Sequence, residues 1–522
     1  MRRRFFWIIL CSVILARIAA AQTAPERQDV VDVMKRATAF MTDKVSHKGG
    51  YVWSYLPDLS RRWGEMEAFP SMIWLQSGTP RMGQVFLDAY HATHDEYFYR
   101  AAEQVAGALI ACQHPAGGWN YCADLDSEES LKKWYDTIGK NGWRLEEFQH
   151  YYGNATFDDR TTIDAAEFML RISLEKKDAK YKASLDKAIQ FVLDSQYPIG
   201  GWPQRFPPAG EFSKDGNPDY TRYITFNDEV AAGNIDFLID CYRSSGDKRL
   251  LDAIHRGMDV FVALQQPAPQ AGWGLQHNPD DLKPAGARTY EPRAMVTHTT
   301  ASCIDQLMRF YRLTGDQKFL SRIPEALDWL DSVRLPPGIP GARGSHPTFV
   351  GIGSNKPMYL HRSGSNVVNG HYFADDNPQN TVGHYSSFRN VDVAGLRQRY
   401  EQMKALPREE LIRNSPLQPG APAASASRPP ARGRGNTQQQ VETVASSLNS
   451  EGYWPSLIRT TSHPYKGDGP KEIPPGDFVR TQVGDDFDTS PFAAAQPVSG
   501  ISISTYITNI GVLIRYLEAN NP

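Results

Sequence analysis

The chain of 522 residues is short of several things, and each shortage removes a class of protein. It holds 5 cysteines and no CxxC pair, so neither a zinc-knuckle framework nor a disulfide-stapled miniature fold is written into it. Basic charge is not in surplus, with 56 Lys plus Arg against 59 Asp plus Glu and a net charge of -3. Nothing is left over to grip a phosphate backbone, and nucleic acid is not an expected partner. The apolar run Phe5–Ala16 is short for a membrane span, which leaves an uncleaved anchor only as the alternative to a cleaved leader. At 41% hydrophobic and 22% charged residues the composition is that of a folded globular protein, neither disordered nor multispanning.

What is present begins with an address label. Arg2, Arg3 and Arg4 precede the apolar run, and Ala19 and Ala21 form a small-x-small cleavage pattern before Gln22. Residues 1–21 therefore read as a secretory signal peptide, which implies export to the periplasm or beyond with no membrane attachment after cleavage. Cleavage removes Cys11 and leaves Cys112, Cys122, Cys241 and Cys303. Buried free thiols are the expected state in a chain this large, with a Cys112–Cys122 bridge as the alternative. Aromatics are plentiful, at 11 Trp, 24 Tyr and 23 Phe, and such flat faces serve a core or stack on sugars.

The chain is also internally repetitive. Asp95, Asp178, Asp247 and Asp316 each open an amphipathic segment, at spacings of 83, 69 and 69 residues. Apolar residues recur at three- and four-residue steps behind each aspartate, as in Leu185, Ala188, Ile189, Val192 and Leu193, the pattern of a capped helix. Partner helices precede them, joined through links that contain Gly246 or Gly315. A glycine-aromatic turn follows: Gly117-Gly118-Trp119, Gly200-Gly201-Trp202 and Gly272-Trp273, with Gly49-Gly50-Tyr51 and Gly452-Tyr453-Trp454 as first and last copies. Repeated helical hairpins with atypical ends predict an α/α toroid carrying a few short strands in its loops, with these turns gathered at one end. The toroid is assigned to residues 22–413. The Pro, Ala, Ser, Gly and Arg bias of 414–439 predicts a disordered insertion, and 440–522 are expected to complete the ring, with a separate module as the alternative.

Three places could carry chemistry. Asn227, Asp228 and Glu229 stand directly before a repeat helix; they read as caps, or as oxygen ligands for a hard divalent cation such as calcium. Asp158-Asp159-Arg160 occupies the equivalent position one repeat earlier, so acids converge at one end. Asp280-Asp281 follows the Gly272-Trp273 turn and leads to Lys283 and Arg288. Lys356 and Arg362 lie in a stretch that leaves the helical pattern, and strand alternation would put both on one face toward an anionic ligand. Trp202 is the leading candidate for a sugar-stacking platform.

The ordered segments GGWPQRFPP, YITFNDEVAAGN, LKPAGARTYEP and GIGSNKPMYLHRSG, set between helical repeats from about Lys48 to Gly364, resemble the pectate lyases of polysaccharide lyase family ten. The resemblance implies an α/α toroid and calcium-dependent cleavage of polygalacturonate by β-elimination with an arginine base. Carried over by motif, Asp228 and Glu229 fall on calcium positions, Asp281 on a third and Arg362 on the base. Lys356 takes the place of a substrate-binding arginine, and Arg288, Arg160 and Trp202 complete the expected substrate contacts. Glu229 stands where the family has Asn, Ser363 where it has Asp, and Thr348–Gly351 replaces an RFYE-like pattern. The expected enzyme is a monomer acting on an anionic polysaccharide. A glycoside hydrolase using Asp158 or Asp159 with Asp228, or a glycan-binding protein with decayed catalysis, are the alternatives.

Overall fold

The computed structural model describes residues 26–139, 146–210, 219–288, 290–339, 343–363, 371–379, 385–418, 438–458 and 498–520, together with 381 and 421. The segment 1–21 and most of 414–439 lie outside the described residues.

The helices are α1 (Arg27–Phe40), α2 (Thr79–Thr93), α3 (Glu96–Ala111), α4 (Glu128–Thr137), α5 (Thr161–Lys176), α6 (Ala179–Asp194), α7 (Val230–Ser245) and α8 (Lys248–Ala263), followed by α9 (Thr297–Thr314), α10 (Ile323–Ser332), α11 (Val393–Ala405), α12 (Arg408–Ile412), α13 (Gln438–Ser447) and α14 (Ile503–Ala519). The four repeat aspartates are N-caps: Asp95, Asp178, Asp247 and Asp316 accept hydrogen bonds from the backbone N–H of Tyr97, Lys180, Arg249 and Lys318. Each satisfies an otherwise orphaned helix donor, an interaction worth about 1 kcal/mol. The partner helices end in left-handed residues, Gly246 and Gly315 at φ 68°, with His94 and Lys177 doing the same work at 57° and 54°.

Antiparallel hairpins α2–α3, α5–α6, α7–α8 and α9–α10 follow one another around an α/α toroid. Helix α14 returns to pack on α1 and α2. Residues from both stretches of the C-terminal region, among them Val441, Trp454, Ile510 and Leu513, join the same continuous core as the hairpins. The four cysteines beyond Cys11 are free, three of them buried.

The glycine-aromatic turns act as pins. The indole N–H of Trp119, Trp202, Trp273 and Trp454 donates to the backbone oxygen of Leu109, Val192, Phe261 and Val444, each on the helix just before it. The backbone oxygens of Tyr51, Trp119, Trp202 and Trp273 in turn accept from Trp74, Thr156, Thr225 and Val296, in the strand that leads into the next inner helix. Short antiparallel pairs follow, including Ala155–Thr156 with Arg205–Phe206 and Ile224–Thr225 with Gln276–His277. The residues just ahead of α2, α5 and α7 are thereby gathered at one end of the ring.

Candidate functional site

At that end, the turns entering α5 and α7 share an unusual backbone. Asp159 and Arg160 have φ of 48° and 59°, and Asp228 and Glu229 have 53° and 57°. Consecutive left-handed residues with side chains are strained unless their surroundings fix them, and such strain gathers at functional sites. The two turns pack against each other. They bring Asp158, Asp159 and Asp228 together around one guanidinium, that of Arg288.

Arg288 is 5% exposed. Its Nε and Nη2 donate to Glu291 at 2.9 Å each, and Nη2 donates to Tyr385 Oη at 3.4 Å. Nη1 lies 3.5 Å from Glu147 Oε2 and 3.7 Å from Asp158 Oδ2, while Nη2 lies 3.7 Å from Asp228 Oδ2. Burial works against its charge, but Glu291, Glu147 and the neighbouring tyrosines outweigh it and hold the guanidinium pKa well above the ordinary arginine value.

Acid outnumbers base here, and the carboxyl groups respond. Burial, then repulsion from Glu147 and Asp159, pushes Glu65 up to about 8. Burial drives Glu147 up to about 7 against the pull of Arg288. Asp159 rises to about 6 through burial and Asp158, and Asp228 is raised well above the usual aspartate range through burial and then Asp158 and Asp159. Glu291 goes the other way, because Arg288 overcomes its burial. Tyr121 donates to Asp158 Oδ2 at 2.5 Å, and Gln76 donates to Asp159 Oδ2. Asp158 Oδ1, Asn227 Oδ1 and Glu65 Oε2 are buried with no hydrogen-bond partner.

Two clefts open on this cluster. One, of about 880 Å³, is lined by Asp159, Arg160, Asp228 and Glu229 together with Trp53, Gln76 and residues of the C-terminal region such as Leu457 and Ile507. The other, of about 440 Å³, is lined by Tyr223, Asp281, Arg288, Glu291 and Arg293.

The expected residues do not all meet. Asp228 faces the first cleft, and Glu229 beside it is turned to Arg160, whose Nη1 lies 3.3 Å from Glu229 Oε2. Asp281 lines the second cleft, where its Oδ1 caps its own turn by accepting from the Lys283 N–H. Asp228 and Glu229 thus line one cleft and Asp281 the other. Among the described residues no group of three or more His, Cys, Asp or Glu is disposed to hold a metal ion unaided.

Arg160 reaches the cleft wall but is committed to Asp164 and Glu167, at 2.9 and 2.7 Å. Arg288 organises the cluster from within and also lines the second cleft. Trp202 is fully buried, so it is a packing pin and not a sugar platform. Lys356 is exposed and lies in the tight turn between strands Phe349–Val350 and Pro357–Ser363, where Val350 pairs with Pro357. It is not part of the strand that carries Arg362, and six residues of extended chain separate the two by roughly 20 Å. Arg362 is in that strand, paired with Tyr372, and its side chain lies outside the described residues. Leu360, two positions before it, packs in a small core with Tyr290, Phe349 and Tyr385, and Tyr385 donates to Glu291 at 2.8 Å.

Glu65, Glu147 and Glu291 escaped the sequence reading. Only Glu291 left a signal there, three residues after Arg288 in the quoted LKPAGARTYEP segment.

Residues 129–338 match the family model described as pectic acid lyase. The stretch contains Glu147, Asp158, Asp159, Asp228, Asp281, Arg288 and Glu291, and the match supports a lyase acting on polysaccharides. A search of curated proteins gave no match. Among solved structures, a mutant family 10 polysaccharide lyase from Cellvibrio cellulosa in complex with trigalacturonic acid is 20% identical, over 53% of this chain and 86% of that one, with a TM-score of 0.36. The α-1,6-mannanase of Salegentibacter sp. is 11% identical over 94% and 99% at a TM-score of 0.35. The cellobiose 2-epimerase of Spirochaeta thermophila is 13% identical over 74% and 98% at 0.32.

Proposed function

We propose that the protein is an exported, monomeric polysaccharide lyase that cleaves polygalacturonate, or a related uronate polymer, by β-elimination. One observation carries the reading: Asp159 and Asp228 line a single cleft beside the buried Arg288, inside the stretch that matches pectic acid lyase. Export rests on Arg2–Arg4, the apolar run and the Ala19/Ala21 pattern.

The reaction removes the C5 proton of a uronate, forms a C4=C5 double bond and breaks the C4–O bond, with O4 leaving as a hydroxyl after taking up a proton. Negative charge builds on the C6 carboxylate and must be stabilised. This chain's residues fit a hard cation in kind, since Asp159 and Asp228 are cleft-lining carboxylates and Asp158 Oδ1 and Asn227 Oδ1 are buried oxygens without partners. Bound there, calcium would supply a Lewis acid for the uronate carboxylate. Arg288 holds Asp228 and Asp158 in place and keeps their mutual repulsion from opening the site. Arg362 is the proposed base that accepts the C5 proton, a role worth about 10²- to 10⁴-fold. A guanidinium normally keeps its proton, so the reaction should run best in alkali.

The hydrolase alternative needs Asp158 or Asp159 to stand roughly 6.5–9.5 Å from Asp228, so that a water fits between the two carboxyls. Incubation with polygalacturonate, with and without calcium, followed by absorbance of unsaturated ends, tests the proposal. Saturated products would indicate hydrolysis, and polymer binding without any product would indicate a binding protein.

A further inference from the structure

The first glycine-aromatic turn departs from the others, and the departure frees a tryptophan. In the later turns the residue after the glycines is Trp119, Trp202 or Trp273, fully buried in each case. In the first it is Tyr51, which takes the same place: its backbone N–H donates to Thr79 Oγ1 at 2.9 Å, as that of Trp119 donates to Thr162 and that of Trp273 to Thr300. Two residues beyond the pin, Tyr121, Gln204 and Leu275 are all buried. The residue at that position in the first turn is Trp53, which is only half-buried. Among the described residues lining the larger cleft, it is the aromatic one.

Trp53 is held, but not covered. Its indole N–H donates to the backbone oxygen of Gln76 at 2.8 Å. Its ring meets Trp74 edge-on, at 6.3 Å and 66°. Its backbone oxygen accepts from Ile503 at 3.1 Å. Gln76 then reaches the other way: its Oε1 accepts from the Trp74 indole at 3.1 Å, and its amide donates to Asp159. One glutamine thus ties the orientation of the Trp53 ring to the position of a cleft carboxylate. A fixed aromatic ring loses little freedom on binding, and it offers an apolar face to the C–H face of a sugar.

We propose that Trp53 is the sugar-stacking platform of the cleft, seating one pyranose ring of the polymer beside Asp159 and Asp228. The proposal rests on the carbohydrate reading of the site, and it assigns to Trp53 the role that Trp202 cannot fill.

The test is calorimetric titration of the whole chain with trigalacturonic acid and, as a neutral probe, α-1,6-mannotriose. Trp53→Ala and Trp53→Leu should each weaken trigalacturonic acid binding roughly tenfold, and Trp53→Phe by less than about threefold. Thermal melts identify any variant that fails to fold, and the Leu and Phe variants keep the cavity filled. Equal affinity of Trp53→Leu and wild type would overturn the platform, while turnover of polygalacturonate by wild type would leave the lyase reading intact. If wild type ignores trigalacturonic acid yet binds mannotriose in a Trp53-dependent way, the platform stands and the uronate reading falls. No binding of either sugar overturns the platform.

Discussion

Arg288 Nη2 lies 3.7 Å from Asp228 Oδ2, and the same guanidinium touches Glu147, Asp158 and Glu291. A single buried cation therefore holds together carboxyls contributed by four segments of the chain. Replacing it leaves the acids uncompensated. Arg288→Met should lower stability by about 3–5 kcal/mol, measured by denaturant unfolding, and unchanged stability would show that the cluster does not depend on its charge.

The acid cluster also sets a pH dependence in the metal-free protein. Glu65, Glu147 and Asp159 have folded values of about 8, 7 and 6, all above their ordinary values. A raised carboxyl pKa means that the fold prefers the protonated form. The stabilising contribution is complete below the unfolded values near 4 to 4.5 and is lost as pH rises through the folded ones. The melting temperature should fall from pH 5 to pH 8. Glu65→Gln should flatten that slope and raise the melting temperature at pH 8. A melting temperature that rises over the interval would contradict the assignment.

Divalent cations should act at the same place. Chelation should remove lyase activity reversibly, and Asp228→Ala should raise the calcium concentration needed for half-maximal rate. Asp281→Ala should leave that concentration within about twofold, because its carboxylate lines the other cleft and caps its own turn. A large effect of Asp281→Ala would instead place its carboxylate among the calcium ligands.

Arg362→Ala should abolish formation of unsaturated ends, a loss of at least about 10²-fold, while folding and polymer binding persist. The wild-type rate should climb toward alkaline pH. A maximum in mild acid, or retained turnover in the variant, would remove Arg362 as the base.

The helical ring was legible because its signals are local. An aspartate cap acts on the N–H two residues ahead, and each glycine-aromatic turn repeats the same few bonds. The meeting of Asp158, Asp159 and Asp228 followed from their equivalent places in successive repeats. Glu65 and Glu147 come from irregular connections, and only burial beside Arg288 makes them matter, so nothing in their immediate neighbours could mark them. Trp202 and Trp53 show the same limit from the other side. Trp202 is itself the pin of its turn and is fully buried, whereas Trp53 lies two residues beyond the pin Tyr51 and is half-buried.

The strand Val498–Ser502 pairs with Ser54–Tyr55, and α14 then packs on α1 and α2. The wall of the larger cleft is thus stitched from the two extremes of the described chain, with Ile503 bonded to Trp53. During synthesis the acids, their arginine and the tryptophan are all made long before Ile503 and Ile507 leave the ribosome. A nascent chain that already holds every acidic group of the site would still have an open trough in place of a groove, and it would gain a sugar-binding shape only when its last helix docks.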